Sequence, residues 1–116
     1  MIKVFGLKNC DTCRNALIWL EKNNIECAFF DLRGVKLDLK NIERWVDEVG
    51  WELLLNRRSK TWRNLPEHET RVIDEKLAVR LMFENVTLIK RPIFEIDEQV
   101  LLGFKDRQKR ILIKQR

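Results

Sequence analysis

The pattern of apolar and polar positions changes twice within the first 32 residues, and each change predicts a new element. Residues 2–5 are a short apolar run typical of a buried strand. Residues 11–23 then carry apolar side chains at positions i, i+3, i+4 and i+7, which predicts an amphipathic helix. That apolar face consists of Cys13, Ala16, Leu17 and Leu20. After a tight Asn23-Asn24 turn, residues 27–32 predict a second strand, so the segment forms a βαβ unit with parallel strands.

The central part of the chain has a helical pattern. Asp38 is the predicted N-cap of a helix that ends at Gly50, and Pro66 opens a more polar helical stretch. A further helix follows Asp74, with its apolar face formed by Leu77, Ala78, Leu81 and Met82. We therefore expect a block of helices over residues 34–87.

Strand patterns return near the C-terminus. Residues 93–96 and 100–102 predict a hairpin joined by residues 97–99, and a last helix follows Asp106. The order βαβ, helices, ββα predicts an α/β protein with a thioredoxin-like fold and a helical insertion. The predicted core comprises residues 1–33 and 88–116, and the insertion residues 34–87.

Composition and charge narrow the class of protein. A chain of 116 residues with 45% hydrophobic and 35% charged residues is typical of one globular domain. The net charge of +5 is carried by residues 105–116, which hold six Lys or Arg and one Asp. No interleaved aromatic and basic motif accompanies this charge, which argues against nucleic-acid binding. Without a 20-residue apolar run or a signal sequence, we expect no membrane association and a cytoplasmic location.

Two cysteines three residues apart lie where the first strand passes into the first helix. Free amide groups and the helix dipole favour a thiolate at such a position. Cys10 lies outside the apolar helix face and is the expected exposed nucleophile, whereas Cys13 lies on the buried face as a possible resolving thiol. A zinc site would need Cys27 and His68 as further ligands. Because Cys27 falls in a core strand and His68 in a polar turn, we predict no metal and no tightly bound cofactor.

Four sequence blocks resemble the ArsC/Spx family, and in particular its short branch of YffB-like glutathione-dependent thiol reductases. They are LKNCDTCR at residues 7–14, LLNRR at 54–58, LIKRP at 88–92 and LLGF at 101–104. The blocks keep the family's order over nearly the whole chain. The resemblance implies a single ArsC-like domain over residues 1–116 and glutathione as co-substrate.

The resemblance also implies site residues. Cys10 matches the family nucleophile, Arg91 the arginine that contacts the oxyanion in arsenate reductases, and Pro92 the proline expected to be cis. Arg58 matches the arginine of the family's central block. Guanidinium groups suit carboxylates and oxyanions and favour a neighbouring thiolate. The full predicted substrate- and anion-binding set is Lys8, Asn9, Thr12, Arg14, Arg58, Arg91 and Pro92.

Asp11 introduces an opposing effect beside Cys10. Its carboxylate disfavours the thiolate, although an Asp near a helix start also stabilises the helix. The sequence leaves this balance open.

Three departures from arsenate reductases shape the functional prediction. This chain has Gly103-Phe104 where those enzymes place a third arginine, Gly6 where they have histidine, and Cys13 where they have serine. We therefore expect a thiol-disulfide oxidoreductase that acts on a small thiol or disulfide, or on a protein disulfide. The alternatives are an Spx-like redox-sensing regulator that binds RNA polymerase, and an arsenate reductase.

Overall fold

A four-stranded mixed sheet organises the first of two units in this chain. The computed structural model describes residues 1–116, with one unit formed by Met1–Val35 and Arg91–Arg116 and the other by Lys36–Lys90. The strands are β1 (Ile2–Gly6), β2 (Cys27–Asp31), β3 (Ile93–Ile96) and β4 (Gln99–Leu102). The helices are α1 (Asp11–Lys22), α2 (Leu39–Val49), α3 (Trp51–Leu54), α4 (Lys60–Arg63), α5 (Glu67–Thr70), α6 (Glu75–Glu84) and α7 (Asp106–Ile113).

The sheet has the strand order β2-β1-β3-β4. β1 is parallel to β2 and antiparallel to β3, and β3 forms an antiparallel hairpin with β4. This topology confirms the predicted α/β, thioredoxin-like arrangement. The hairpin turn is shorter than expected because Gln99 already belongs to β4, and Asp97 makes the turn with a φ of 50°, a conformation that Asp tolerates.

The first unit buries its core between the sheet and two helices. Val4 of β1 and Phe94 of β3 are fully buried, and Leu112 of α7 joins the same cluster. Helix α1 contributes Ala16 and Leu20 to this cluster, which confirms the helical period expected from the sequence. α7 starts at Asp106 itself, with Lys105 as its N-cap, one residue earlier than the sequence suggests.

The regular structure of the second unit consists of the helices α2 to α6, a 3-10 helix at Val86–Leu88 and one isolated β-bridge between Leu55 and Ile89. Asp38 is the N-cap of α2, and its carboxylate accepts a hydrogen bond from the Lys40 amide at 3.2 Å. Gly50, with a φ of 88°, is the C-cap. The apolar face of α2 buries Ile42, Trp45 and Val46. The α-helices of this unit lie between Leu39 and Glu84, within the stretch where the sequence predicts helices.

The sequence did not separate the short helices α3, α4 and α5. Each contains four residues, which is too short for a helical period to emerge from the pattern. Pro66 precedes α5 as its N-cap and does not occupy its first turn. None of the helices combines the length and apolar content that a bilayer crossing demands.

Replacing Asp38 by Ala should destabilise the protein by about 1 kcal/mol, because the first turn of α2 loses its capping oxygen. Urea unfolding of the purified protein measures this change. Asp38→Asn is the matched control, since it keeps a side-chain oxygen at the same position. Equal losses in both variants would contradict a capping role.

Candidate active site

Cys10 is the N-cap of α1. Its amide donates to the Leu7 carbonyl at 3.1 Å, and its own carbonyl accepts from the Arg14 amide at 3.0 Å. The residue has an extended conformation, with φ −95° and ψ 120°, and it is half-buried. The thiol thus lies at the end of a helix whose first amides have no partner within the helix.

Several groups act on the Cys10 thiol. Partial burial raises its pKa, but the amide and thiol of Cys13, the positive charge of Arg91 and the amide of Thr12 all lower it. The lowering contributions together outweigh burial, so the pKa of Cys10 lies below its ordinary value of 9.0. Cys10 therefore forms a thiolate more readily than an unperturbed cysteine.

Cys13 has the opposite character. Its side chain is 1% exposed, and burial is the main cause that raises its pKa to about 11. The hydrogen bond with Cys10 and the charge of Cys10 raise it further, while the Leu7 amide opposes this. The helix period predicts one accessible and one buried cysteine, and the structure confirms that difference.

Arg91 and Pro92 face this pair from the other half of the first unit. The Arg91-Pro92 peptide bond is cis, as the resemblance implies, and Arg91 is half-buried. The Pro92 carbonyl accepts a hydrogen bond from the Gly103 amide at 2.9 Å. Phe104 packs edge-on against Trp19, with ring centroids 5.6 Å apart. Gly103 therefore supports the proline loop, and Phe104 packs next to it against α1.

The loop before Cys10 is held by a residue that sequence reasoning missed. Asp31, at the end of β2, accepts hydrogen bonds from the Lys8 amide at 3.0 Å and the Arg33 amide at 2.8 Å. These two bonds lower the pKa of Asp31. The side chains of Lys8 and Asn9 are exposed at the surface of this loop. Because β1 and β2 are parallel, their C-terminal ends meet at one edge of the sheet. The predicted parallel pairing was therefore the sequence signal that could have placed Asp31 next to the loop before Cys10.

Arg14 is held by groups close to it in the chain. Its guanidinium pairs with the Asp11 carboxylate and also donates to the Lys8 carbonyl at 3.3 Å. The Asp11 side chain is 86% exposed, so its charge is both paired and solvated. This answers the question that the sequence left open about Asp11. Thr12 acts on Cys10 through its amide.

Arg58 belongs to the second unit, where its surroundings differ from those of Arg57. The Arg57 guanidinium lies 5.5 Å from the ring centroid of Trp51 and 5.8 Å from that of Trp62. The Arg58 amide donates to the Asn56 side chain at 3.1 Å. Both arginines border a cavity of about 440 Å³ lined by Glu52, Leu55, Asn56, Arg57, Arg58 and Lys90. The aromatic contacts thus hold Arg57, and Arg58 stays the predicted anion-binding residue.

The other metal-ligand candidates lie in different surroundings. Cys27 is half-buried against the core of the first unit, and burial raises its pKa. His68 is exposed in the second unit. No group of three or more His, Cys, Asp or Glu side chains is placed to hold a metal ion.

Several known proteins have sequences similar to this chain. The ArsC family model matches residues 5–112. The chain belongs to the ArsC family. An uncharacterized protein from Haemophilus influenzae is 44% identical over 108 residues, covering 93% of this chain and 95% of its own. The global transcriptional regulator Spx 2 from Bacillus anthracis is 27% identical over 115 residues, covering 93% and 83%.

Solved ArsC-family structures share the whole fold. The YffB protein has a TM-score of 0.92 and 34% identity, covering 97% of this chain and 99% of its own. An arsenate reductase-related protein from Brucella melitensis has a TM-score of 0.78 and 38% identity, covering 97% and 94%. This ArsC-family chain is therefore similar over its length to both reductase-related and regulatory relatives.

Alkylation of Cys10 by iodoacetamide should rise with pH to a midpoint below 9.0, because the thiolate is the reactive form. Arg91→Gln should move that midpoint upward, since the variant loses a charge that favours the thiolate. Arg91→Lys is the matched control that keeps the charge. Site-resolved mass spectrometry follows each cysteine separately. A midpoint at or above 9.0, or equal midpoints in the two Arg91 variants, would contradict this account.

Proposed function

We propose that this ArsC-family protein is a thiol-disulfide oxidoreductase with Cys10 as nucleophile and glutathione as reductant. The observation that carries the proposal is the pairing of two unlike thiols at the start of α1. Cys10 is accessible and has a lowered pKa, whereas Cys13 beside it is buried and has a pKa of about 11. Such a pair suits a reaction in which one sulfur attacks first and the other follows.

In the first step the Cys10 thiolate attacks one sulfur of a substrate disulfide. A bond forms between Cys10 and that sulfur, the substrate S–S bond breaks, and the departing thiolate takes a proton from solvent. In the second step either glutathione or Cys13 attacks the Cys10 sulfur, so that a new S–S bond to Cys10 forms and the bound half leaves as a thiol. If glutathione attacks, a second glutathione then attacks the first one's sulfur, which frees Cys10 and forms glutathione disulfide. If Cys13 attacks, two glutathione thiols then reduce the Cys10–Cys13 disulfide and leave as glutathione disulfide, so that the electrons balance.

The state of Cys10 regulates the reactivity of Cys13 in this scheme. Part of the raised pKa of Cys13 comes from its hydrogen bond with Cys10 and from the charge of Cys10. Both contributions disappear once Cys10 is bound in a neutral mixed disulfide. The pKa of Cys13 then falls, because burial still raises it but the Leu7 amide and the Arg91 charge still lower it. A larger fraction of Cys13 becomes the attacking thiolate. The order of attack therefore follows from the electrostatics of the pair.

Anion recognition supports glutathione as the reductant. Glutathione carries two carboxylates, and Arg91 supplies a positive charge that reaches Cys10. The amides at the start of α1 and the exposed Lys8 add favourable groups on the same side of the first unit. Arg58 stays in the proposed anion-binding set through the family resemblance. An Arg58→Gln variant, which loses only this charge, tests whether Arg58 contributes to glutathione binding.

Cys13→Ser should trap a mixed disulfide on Cys10 when the protein meets a disulfide substrate without glutathione. The variant keeps the nucleophile but loses the internal thiol that would release the substrate. Intact-protein mass spectrometry measures the trapped adduct, with Cys27→Ser as the matched control. If the wild-type protein retains the adduct to the same extent as Cys13→Ser, release depends on glutathione alone.

Glutathione should bind the first unit in a saturable way. In a titration followed by NMR, we expect amide shifts to cluster at residues 8–14 and 91–92, because these surround the reactive sulfur. Cys10→Ser is the control that separates binding from disulfide exchange. An absence of saturable shifts would remove glutathione from the proposal.

The similarity to the regulator Spx 2 favours a second candidate function. A relative with that name spans 93% of this chain, and the same cysteine pair could act as a redox switch for binding RNA polymerase. Pull-down with the polymerase α subunit distinguishes the two functions. Specific binding that changes with the oxidation state of the pair would favour the regulator over the reductase.

A further inference from the structure

Gly6 and Cys13 are in very close contact at the end of β1. A Cβ atom on Gly6 would lie 2.5 Å from the Cys13 sulfur and 3.3 Å from its Cβ. The ring of Phe29 would lie 3.4 Å away on another side. The Cys13 sulfur thus occupies the volume that any side chain at position 6 would need.

The reason for glycine here is space and not backbone conformation. Gly50 and Gly103 have φ angles of 88° and 92°, a region that other residues seldom adopt, whereas Gly6 is an ordinary strand residue. Glycine within a strand commonly marks the close approach of another group. At Gly6 the approaching group is the sulfur of the second cysteine.

The backbone around Gly6 has little freedom to give way. Gly6 is in register with Asp31 of β2, and its carbonyl accepts a hydrogen bond from the Leu32 amide at 2.8 Å. On the other side, α1 buries Ala16 and Leu20 completely against the sheet. A side chain at position 6 would therefore be accommodated by rotating the Cys13 sulfur, since moving the strand or helix would disturb a packed core.

We propose that Gly6 is a positioning residue, whose missing side chain seats the Cys13 sulfur against Cys10. In this position the Cys13 sulfur interacts with both the Leu7 amide and the Cys10 thiol. Rotation away from Gly6 breaks both interactions. The inference deepens the proposed function, because it explains how the resolving thiol is held ready, but it can be tested without any substrate.

The test compares Cys10 reactivity in Gly6→Ala and in wild-type protein. Loss of the Cys13 hydrogen bond raises the pKa of Cys10, so iodoacetamide should alkylate Cys10 roughly three- to ten-fold more slowly at pH 7. Gly34→Ala is the matched control, because a Cβ on Gly34 meets only Asp31 atoms at 3.7 and 3.8 Å. Gly34→Ala should leave the rate unchanged.

A double-mutant cycle makes the test specific to the sulfur. In a Cys13→Ala background the sulfur is absent, so adding Gly6→Ala should change the Cys10 alkylation rate less than two-fold. If Gly6→Ala alone fails to fold, the Gly6→Ala/Cys13→Ala protein should recover folding, measured by urea unfolding. Additive effects of the two substitutions, or an unchanged rate in folded Gly6→Ala, would overturn the inference.

The outcome is separable from the proposed reductase function. Alkylation and unfolding report on Gly6 and Cys13 directly, whereas turnover with glutathione reports on the reaction. A protein that shows the coupling but reduces no disulfide would keep the positioning role of Gly6 and lose the proposed function. A protein that reduces disulfides without the coupling would keep the proposed function and lose the positioning role of Gly6.

Discussion

The contact between Cys10 and Cys13 is the interaction on which the candidate site depends. Burial is the main cause that raises the pKa of Cys13, and its interaction with Cys10 raises it further. The amide and thiol of Cys13 lower the pKa of the partly exposed Cys10, so two residues of the same type acquire different chemistry. A symmetrical pair of exposed thiols would have no such order of reaction.

The first unit supports this contact from several sides. β1 lies in the interior of the sheet between β2 and β3, which restrains the strand that leads to Cys10. Asp31 anchors the Lys8 amide in the connecting loop, and α1 packs its apolar face onto the sheet. The Pro92 loop, bonded to Gly103, brings the charge of Arg91 to Cys10. The reactivity of a single sulfur therefore draws on β1, β2, α1 and the β3–β4 hairpin together.

Family membership and local geometry answer different questions. The matching family model and the similarity to YffB establish the fold and the family of this chain. Proteins similar to this chain include one named as arsenate reductase-related and one named as a transcriptional regulator. The functional choice therefore depends on the site itself, where one reactive and one buried thiol favour disulfide chemistry.

The sequence determined the elements and their order, because periods of hydrophobicity are local properties of the chain. The spacing of Ala16 and Leu20 was enough to locate α1 and to separate a buried Cys13 from an accessible Cys10. Short helices such as α3 and α4 could not be predicted from the sequence, since four residues contain little more than one helical turn.

Only the tertiary structure decided which charged groups act on the reactive sulfur. Arg14 and Arg91 are equally cationic in the sequence, yet Arg14 pairs with Asp11, and Arg91 acts on Cys10. The anchoring by Asp31 and the contact between Gly6 and Cys13 join residues from different elements, so no local pattern contains them. The cysteine pair and the burial of Cys13 could thus be predicted from the sequence, but the groups that shift the pKa of Cys10 could be identified only from the packing around it.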